Sequence, residues 1–449
     1  MSAFLAPKQL IELEARALLT RAHRVRPFAL TETMVVAASF SVEAQAAIER
    51  HMSAGRHEVR RKVSEFLAWL LGAEGRAATP AQAQQRFVFL RLRFNAVLTQ
   101  FDLFSEVVTQ RSEHETGVFL GGLDVFAKDA LQVPGMPYEA PPVVCYLQRG
   151  QGAAIRRART RLPGGGENPV AIIKVPRERM VGAGIASSLV HEVGHQGAAL
   201  LELVESLRPA LQARAVNAGP DAVAWQAWDR WCSEIVADLW SVARVGIAAP
   251  LGLMGVVSLP RPFVFRKEID EPHPIPWIRV LLSAAMGAQL YPHPQWSAIA
   301  DTWRALYPPA DHPDEYAALL QTLVRTLPDA AKAFVEHRPP SLGGRSIGAA
   351  LATPDRAPAQ LEKLYQRFGS APLEMRKTTP SLVFAALGQA RADGAITPEV
   401  ESRVVAHLLT NWALRGAIDM TDICSARMPN RLQPKTADRT STIRRRLTA

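Results

Sequence analysis

Residues 185–203 read IASSLVHEVGHQGAALLEL, and the five from His191 to His195 (His191-Glu192-Val193-Gly194-His195) decide how the rest of the chain is read. The run contains no proline and its apolar residues recur at three-to-four spacing, so it is predicted to be a helix. On a helix, positions i and i+4 lie one turn apart on the same face. His191 and His195 can then both reach one tetrahedral Zn2+, with Glu192 between them aimed at a water beside the ion. Zinc lowers the pKa of such a water to roughly 7, and a neighbouring carboxylate can take its proton during attack on a carbonyl. Glu192 is therefore the candidate general base. Gly194 and Gly197 add weight, because a glycine inside a helix costs ~1 kcal/mol against alanine. Two of them beside two histidines point to close packing. Two other His-Glu pairs, His57-Glu58 and His114-Glu115, have Arg61 and Val118 where the second histidine should stand, and they read as ordinary solvated pairs.

Two histidines do not complete a metal site. A third histidine six residues after the second would fall at Leu201, which excludes that subclass. Further on, WCSEIVADLWSVARVG (231–246) offers Glu234, with Asp238 one turn later on the same face. Ile235, Val236, Leu239 and Trp240 make this stretch largely apolar, so a carboxylate pair there wants a partner. Glu234 is the candidate third ligand. Asp238 is the candidate acceptor for the free N–H of a ligand histidine, a bond that fixes the tautomer and raises basicity. Glu202 and Glu205 lie farther down the first helix and read as helix-face carboxylates. Trp225, Trp228, Trp231 and Trp240, at helical spacing, read as core.

Outward from this centre, residues 1–132 read as helical, with KQLIELEARALLTRA and two longer amphipathic runs after it. The turn-rich VPGMPYEAPP (133–142) precedes three short β-like runs: VVCYL (143–147), AAIRRARTRL (153–162) and PVAIIKV (169–175). The last two are separated by Pro163 and the glycines 164–166, a hairpin signal rather than a phosphate cradle. Helical periodicity resumes at Gly182 and is expected to run past Glu205. A second helix is expected from about Asp221 to Val245, followed by proline-rich joints at 259–263 and 271–276 and by helical runs near 277–289, 296–306 and 313–327. The class is α+β, mostly α-helical, with a small mixed or antiparallel sheet just before the His-Glu helix. The expected division is a helical region at 1–132, a catalytic domain at 133–337, a helical region at 338–427, and a basic, disordered tail at 428–449.

Among 449 residues, 48% are hydrophobic and 21% charged, which excludes wholesale disorder and collagen-like repeats. Three cysteines (Cys145, Cys232, Cys424) form no CxxC pair and fit a reducing compartment. Charges interrupt the first apolar run, so no secretory leader is expected. The longest weakly polar stretch, 245–260, contains Pro250 and is shorter than the ~20 residues a span needs. A cytoplasmic protein without an integral membrane span is the expectation. The net charge of +10 invites a nucleic-acid reading, yet the excess sits in Arg156, Arg157, Arg159, Arg161 and the tail, including Arg444, Arg445 and Arg446. No compact basic helix interleaved with aromatics accompanies it, so a solvated basic surface is expected and no nucleic-acid partner.

The set H-E-x-G-H, then E-x-x-A-D (Glu234, Ala237, Asp238), then H-P-x-P-x-x-R-V (His273, Pro274, Pro276, Arg279, Val280) resembles zinc peptidases whose third ligand is glutamate. In particular it is similar to the CAAX-prenyl endopeptidase and heat-shock membrane endopeptidase group; thermolysin-type enzymes share the first two elements more loosely. The likeness covers residues about 119 to 290. It implies a zincin-like core, His191, His195 and Glu234 as zinc ligands, and Glu192 as base. It also implies that His273 or Arg279 helps stabilise the oxyanion. On the residues themselves, His273, Tyr291, His293 and Tyr146 are the candidate oxyanion donors. In zincins an edge strand beside the active-site helix pairs with extended substrate, and PVAIIKV is either that strand or a plain core strand. The expected function is a zinc metalloendopeptidase acting on a peptide or protein substrate. The alternative is a catalytically silent, zinc-containing scaffold within a larger assembly.

Overall fold

The computed structural model describes residues 6–24, 34–150, 152–163, 165–176, 182–309 and 314–426. The tail at 428–449, with Arg444 to Arg446, lies outside the described residues, as does Gly164 of the hairpin. The molecule is mostly helical with one small mixed sheet. Among the described residues, four long helices come first: α1 (Pro7–Arg24), α2 (Val42–Leu71), α3 (Pro80–Thr109) and α4 (His114–Leu131). Local chemistry sets their starts. The Ser41 side chain accepts from Ala44 N to cap α2, and Thr79 with Gln82 forms a reciprocal capping box ahead of Pro80 on α3.

Three strands follow, β1 (Val143–Gln148), β2 (Ala154–Arg156) and β3 (Ala171–Pro176), in the order β1-β3-β2. β1 runs parallel to β3, and β2 antiparallel to it. PVAIIKV is therefore the central strand and not an edge, so of its two readings the plain core strand holds. β2 is an edge. The hairpin forms, but its first strand has only three residues rather than ten. Arg159 turns into the left-handed region at φ 63°, and farther on only an isolated bridge joins Arg161 to Glu167.

The remaining long helices are α5 (Gly182–Leu200), α6 (Leu203–Asn217), α7 (Ala222–Arg230), α8 (Cys232–Val245), α9 (Ala248–Val257), α10 (Pro276–Leu290), α11 (Gln295–Leu306), α12 (Asp314–Glu336), α13 (Pro358–Ser370), α14 (Pro380–Ala392) and α15 (Pro398–Ala426). Two expected helices are each broken. The first stops at Leu200, where Glu202 adopts φ 51° before α6 begins. The second divides at Trp231, whose indole donates to the carbonyl of Glu271 and anchors the segment leading to His273.

Successive strand residues face opposite ways, and both faces of the sheet are covered. On one side Cys145, Ile173 and Val175 join a core shared by α5, α8, α10, α14 and α15, including Val193, Trp240, Phe384 and Trp412. On the other, Val144, Tyr146 and Ile172 pack with Phe94, Phe101 and Phe104 of α3. At the end of α8 the buried Arg244 donates to the carbonyl of Asp129 on α4 and to Ser381 Oγ on α14. Among the described residues no helix is long and apolar enough to cross a membrane.

Candidate metal centre

The centre lies where α5 crosses α8. A Cβ on Gly194 would stand 2.9 Å from the backbone of Ala237, and one on Gly197 would collide with the Trp240 ring. The two glycines thus let the helices touch. The contact sets His191 and His195 of α5 opposite Glu234 and Asp238 of α8. Ligand atoms of His191, His195 and Glu234 all lie within 4.8 Å of one another, a group that could hold a metal ion. His191 Nε2 is 3.3 Å from Glu234 Oε2, and His195 Nε2 is 3.4 Å from Glu234 Oε1. A tetrahedron built on zinc bonds of ~2.0–2.1 Å has edges of roughly 3.3–3.4 Å. Each imidazole nitrogen stands about that far from one Glu234 oxygen, a different oxygen for each ring, and the donor set suits such an ion. Two imidazoles and a carboxylate suit zinc and several other divalent transition metals.

A buried ionic network surrounds the ligands. Asp238 Oδ1 stands 2.8 Å from His191 Nδ1, which leaves Nε2 as the ligating atom. Arg279, near the start of α10, clamps Asp238 with both arms of its fork, Nε to Oδ2 at 2.7 Å and Nη2 to Oδ1 at 2.9 Å. The same Nη2 lies 3.4 Å from Glu234 Oε2. Pro276 at the first position of α10 fixes where that helix starts, and hence where Arg279 points. Burial alone would push His191 down, but the Asp238 charge and hydrogen bonds to Asp238 and Glu234 outweigh it and raise the ring to about 9. Burial would raise Glu234 and Asp238. Hydrogen bonds from His191 and His195 hold Glu234 far below the usual carboxylate range instead, and Arg279 and His191 hold Asp238 low.

Glu192 behaves differently. Its residue is only 8% exposed, and burial lifts its carboxyl above the usual range against the opposing charges of His191 and His195. Among the described residues, no hydrogen bond or ion pair holds that carboxyl. His273 sits at the mouth, half exposed, with Nε2 3.7 Å from Glu234 Oε2. The remaining candidates lie elsewhere. The Tyr291 hydroxyl is buried, donates to the carbonyl of Ala243, and is held at about 12 by burial. His293 lies just ahead of α11 and accepts from Gln295 N. It lies past the end of α10, whose run from Arg279 to Leu290 spans about 16 Å. Tyr146 faces α3, on the side of the sheet away from α5.

Two contacts at the centre have no counterpart in the sequence reading. Ser233 Oγ lies 3.4 Å from His195 Nδ1, and its only sequence signal is its place just before Glu234. The Gln196 side chain, 1% exposed, accepts from Ala158 N at 2.8 Å and ties the β2–β3 hairpin to the residue after His195. Compared with protein-family models, with curated proteins and with solved structures, the chain finds no match.

Proposed function

We propose that this protein is a zinc-dependent metallopeptidase of zincin type, with Glu192 as the general base. The observation that carries the reading is the convergence of His191, His195 and Glu234 from two crossing helices, with the unheld carboxyl of Glu192 beside them. A zinc ion held by that group would supply Lewis acidity, polarising a carbonyl oxygen and acidifying a neighbouring water. In this reading Glu192 accepts the proton of the attacking water as oxygen adds to the peptide carbonyl carbon. It then delivers that proton to the amide nitrogen as the C–N bond breaks, leaving a carboxylate and an amine. A carboxyl raised by burial is a stronger base than an exposed one, which suits this duty. Asp238 fixes the tautomer of His191, and Arg279 holds Asp238 while lending positive charge to Glu234. His273, half exposed at the mouth, is the N–H donor best placed to meet an oxyanion.

The test pairs elemental analysis with turnover of a peptide library. Parent and Glu192→Gln should both carry stoichiometric zinc, with hydrolysis lost only in the variant. A parent protein without metal refutes the reading, and so does undiminished hydrolysis by the variant.

A further inference from the structure

The basic run at 156–161, which the metal centre does not use, builds a groove of its own. Between the α3-facing side of the sheet and α3 lies a cavity of about 470 Å³, walled by Tyr146, Gln148, Arg156, Arg157, Thr160 and Lys174 among others. The strand register explains the charge. Lys174 pairs across to Tyr146 on one side and to Ala154 on the other, and Arg156 pairs with Ile172. Lys174 and Arg156 are therefore diagonal neighbours on one face, with Cα atoms about 7–8 Å apart. The turn that begins at Arg156 and Arg157 is pinned. Asn168, 1% exposed, donates to the carbonyls of both Arg156 and Arg157.

No carboxylate walls the groove. Among the described residues, no ion pair is made by Arg156, Arg157 or Lys174. Glu106, on α3, is engaged by Gln148 Nε2 at 3.2 Å. Arg156 and Arg157 at the start of the turn and Lys174 on β3, in a cavity whose lining includes no acid though Glu106 reaches Gln148 at its edge, call for an anionic ligand. The groove's one aromatic lining residue, Tyr146, is only 8% exposed, so it presents no stacking platform for bases. The groove opens on the face of the sheet away from α5, and the turn beside it touches the metal helix, since Ala158 N donates to Gln196, the residue after His195.

We propose that this groove docks acidic side chains of the polypeptide substrate through Arg156, Arg157 and Lys174. That the docked peptide is a substrate rests on the peptidase reading; the binding site does not. The test uses the full chain carrying Glu192→Gln, so that binding is read without turnover. A short fluorescein-labelled peptide with a block of glutamates, its glutamine twin and a single-stranded oligonucleotide of matched charge are compared by fluorescence anisotropy. The glutamate peptide should bind in a salt-sensitive way and the glutamine twin should not. Adding Arg156→Gln, Arg157→Gln and Lys174→Gln together should weaken the glutamate peptide about tenfold. Lys174→Glu should gain affinity for a lysine-block peptide, a result that misfolding cannot produce.

Equal binding of the twins, or no effect of the triple change, overturns the groove. Tighter oligonucleotide binding through the same three residues overturns it in favour of a nucleic-acid surface. If the groove behaves as expected while the parent hydrolyses nothing, the peptidase reading alone fails. If the parent hydrolyses neutral and acidic peptides alike, the groove alone fails.

Discussion

Replacing Gly194 by alanine tests whether the crossing of α5 and α8 sets the geometry of the metal centre. The new methyl would stand 2.9 Å from both Cα and O of Ala237 and 3.0 Å from Cβ of Trp240. Carbon atoms at ordinary contact are about 3.5 Å apart or more. The shortfall is roughly 0.6 Å, and because it is against backbone the main relief is to part the helices. Glu234 rides on α8 three residues before Ala237, so its gaps to the imidazoles, now 3.3 and 3.4 Å, should open toward about 3.9–4.0 Å. Metal–ligand distances tolerate only about ±0.2 Å. Overpacking costs about 1–3 kcal/mol, while alanine returns ~1 kcal/mol of helix propensity. Net stability should therefore fall by only about 0–2 kcal/mol, whereas zinc affinity should fall ten- to a hundredfold, the usual range when ligand support is disturbed. Competition with a chromogenic chelator reads the affinity, and thermal melts with and without zinc read the fold. Gly255→Ala is the control, since nothing lies within 4 Å of its added methyl. An intact fold with zinc affinity unchanged within twofold would show that helix spacing does not set ligand spacing.

Two further outcomes follow from the same network and from the opposite side of the sheet. Asp238→Asn removes the charge that Arg279 clamps and the anionic acceptor of His191. It should lower stability by about 3 kcal/mol, as for a broken buried pair, and zinc affinity at least tenfold; calorimetric titration and denaturant melts check both, and a silent variant would contradict the assigned network. His51, bonded to Gln100 at 3.0 Å, is held below its usual 6.5 by burial, which outweighs that bond. The unfolded chain thus protonates first, and the stability His51 contributes is present above about pH 6.5 and lost as pH falls below it. His51→Gln should flatten the pH dependence of melting between about pH 7 and 5; an unchanged slope would refute the assignment.

The sequence is most legible where the chemistry is local. His191 and His195 sit one turn apart because helices repeat at 3.6 residues, and the same spacing pairs Glu234 with Asp238. The glycines at 194 and 197 signalled a close approach, and Ala237 and Trp240 supply it. What lies across helices was harder to read. Arg279 stood as an oxyanion candidate, yet its fork is spent on Asp238, a pairing that depends on where α10 meets α8. Tyr291 reads as an oxyanion-donor candidate, but its hydroxyl turns inward and donates to the carbonyl of Ala243. The breaks at Glu202 and Trp231 carry no glycine or proline to mark them. Strand order is unmarked too, because PVAIIKV is apolar throughout, which suits a central strand as well as a covered edge.

The Arg244 contact bears on how the molecule comes into being. Its partner Ser381 is 137 positions farther along the chain. During synthesis from the amino terminus, the helix bearing Glu234 emerges long before that serine exists. One acceptor of the guanidinium, the carbonyl of Asp129, is already made, but the other arrives late, so the carboxyl end of this helix completes its contacts only then. The helix bearing Glu234 is thus expected to be fully braced only once synthesis has passed residue 381, well into the last third of the polypeptide.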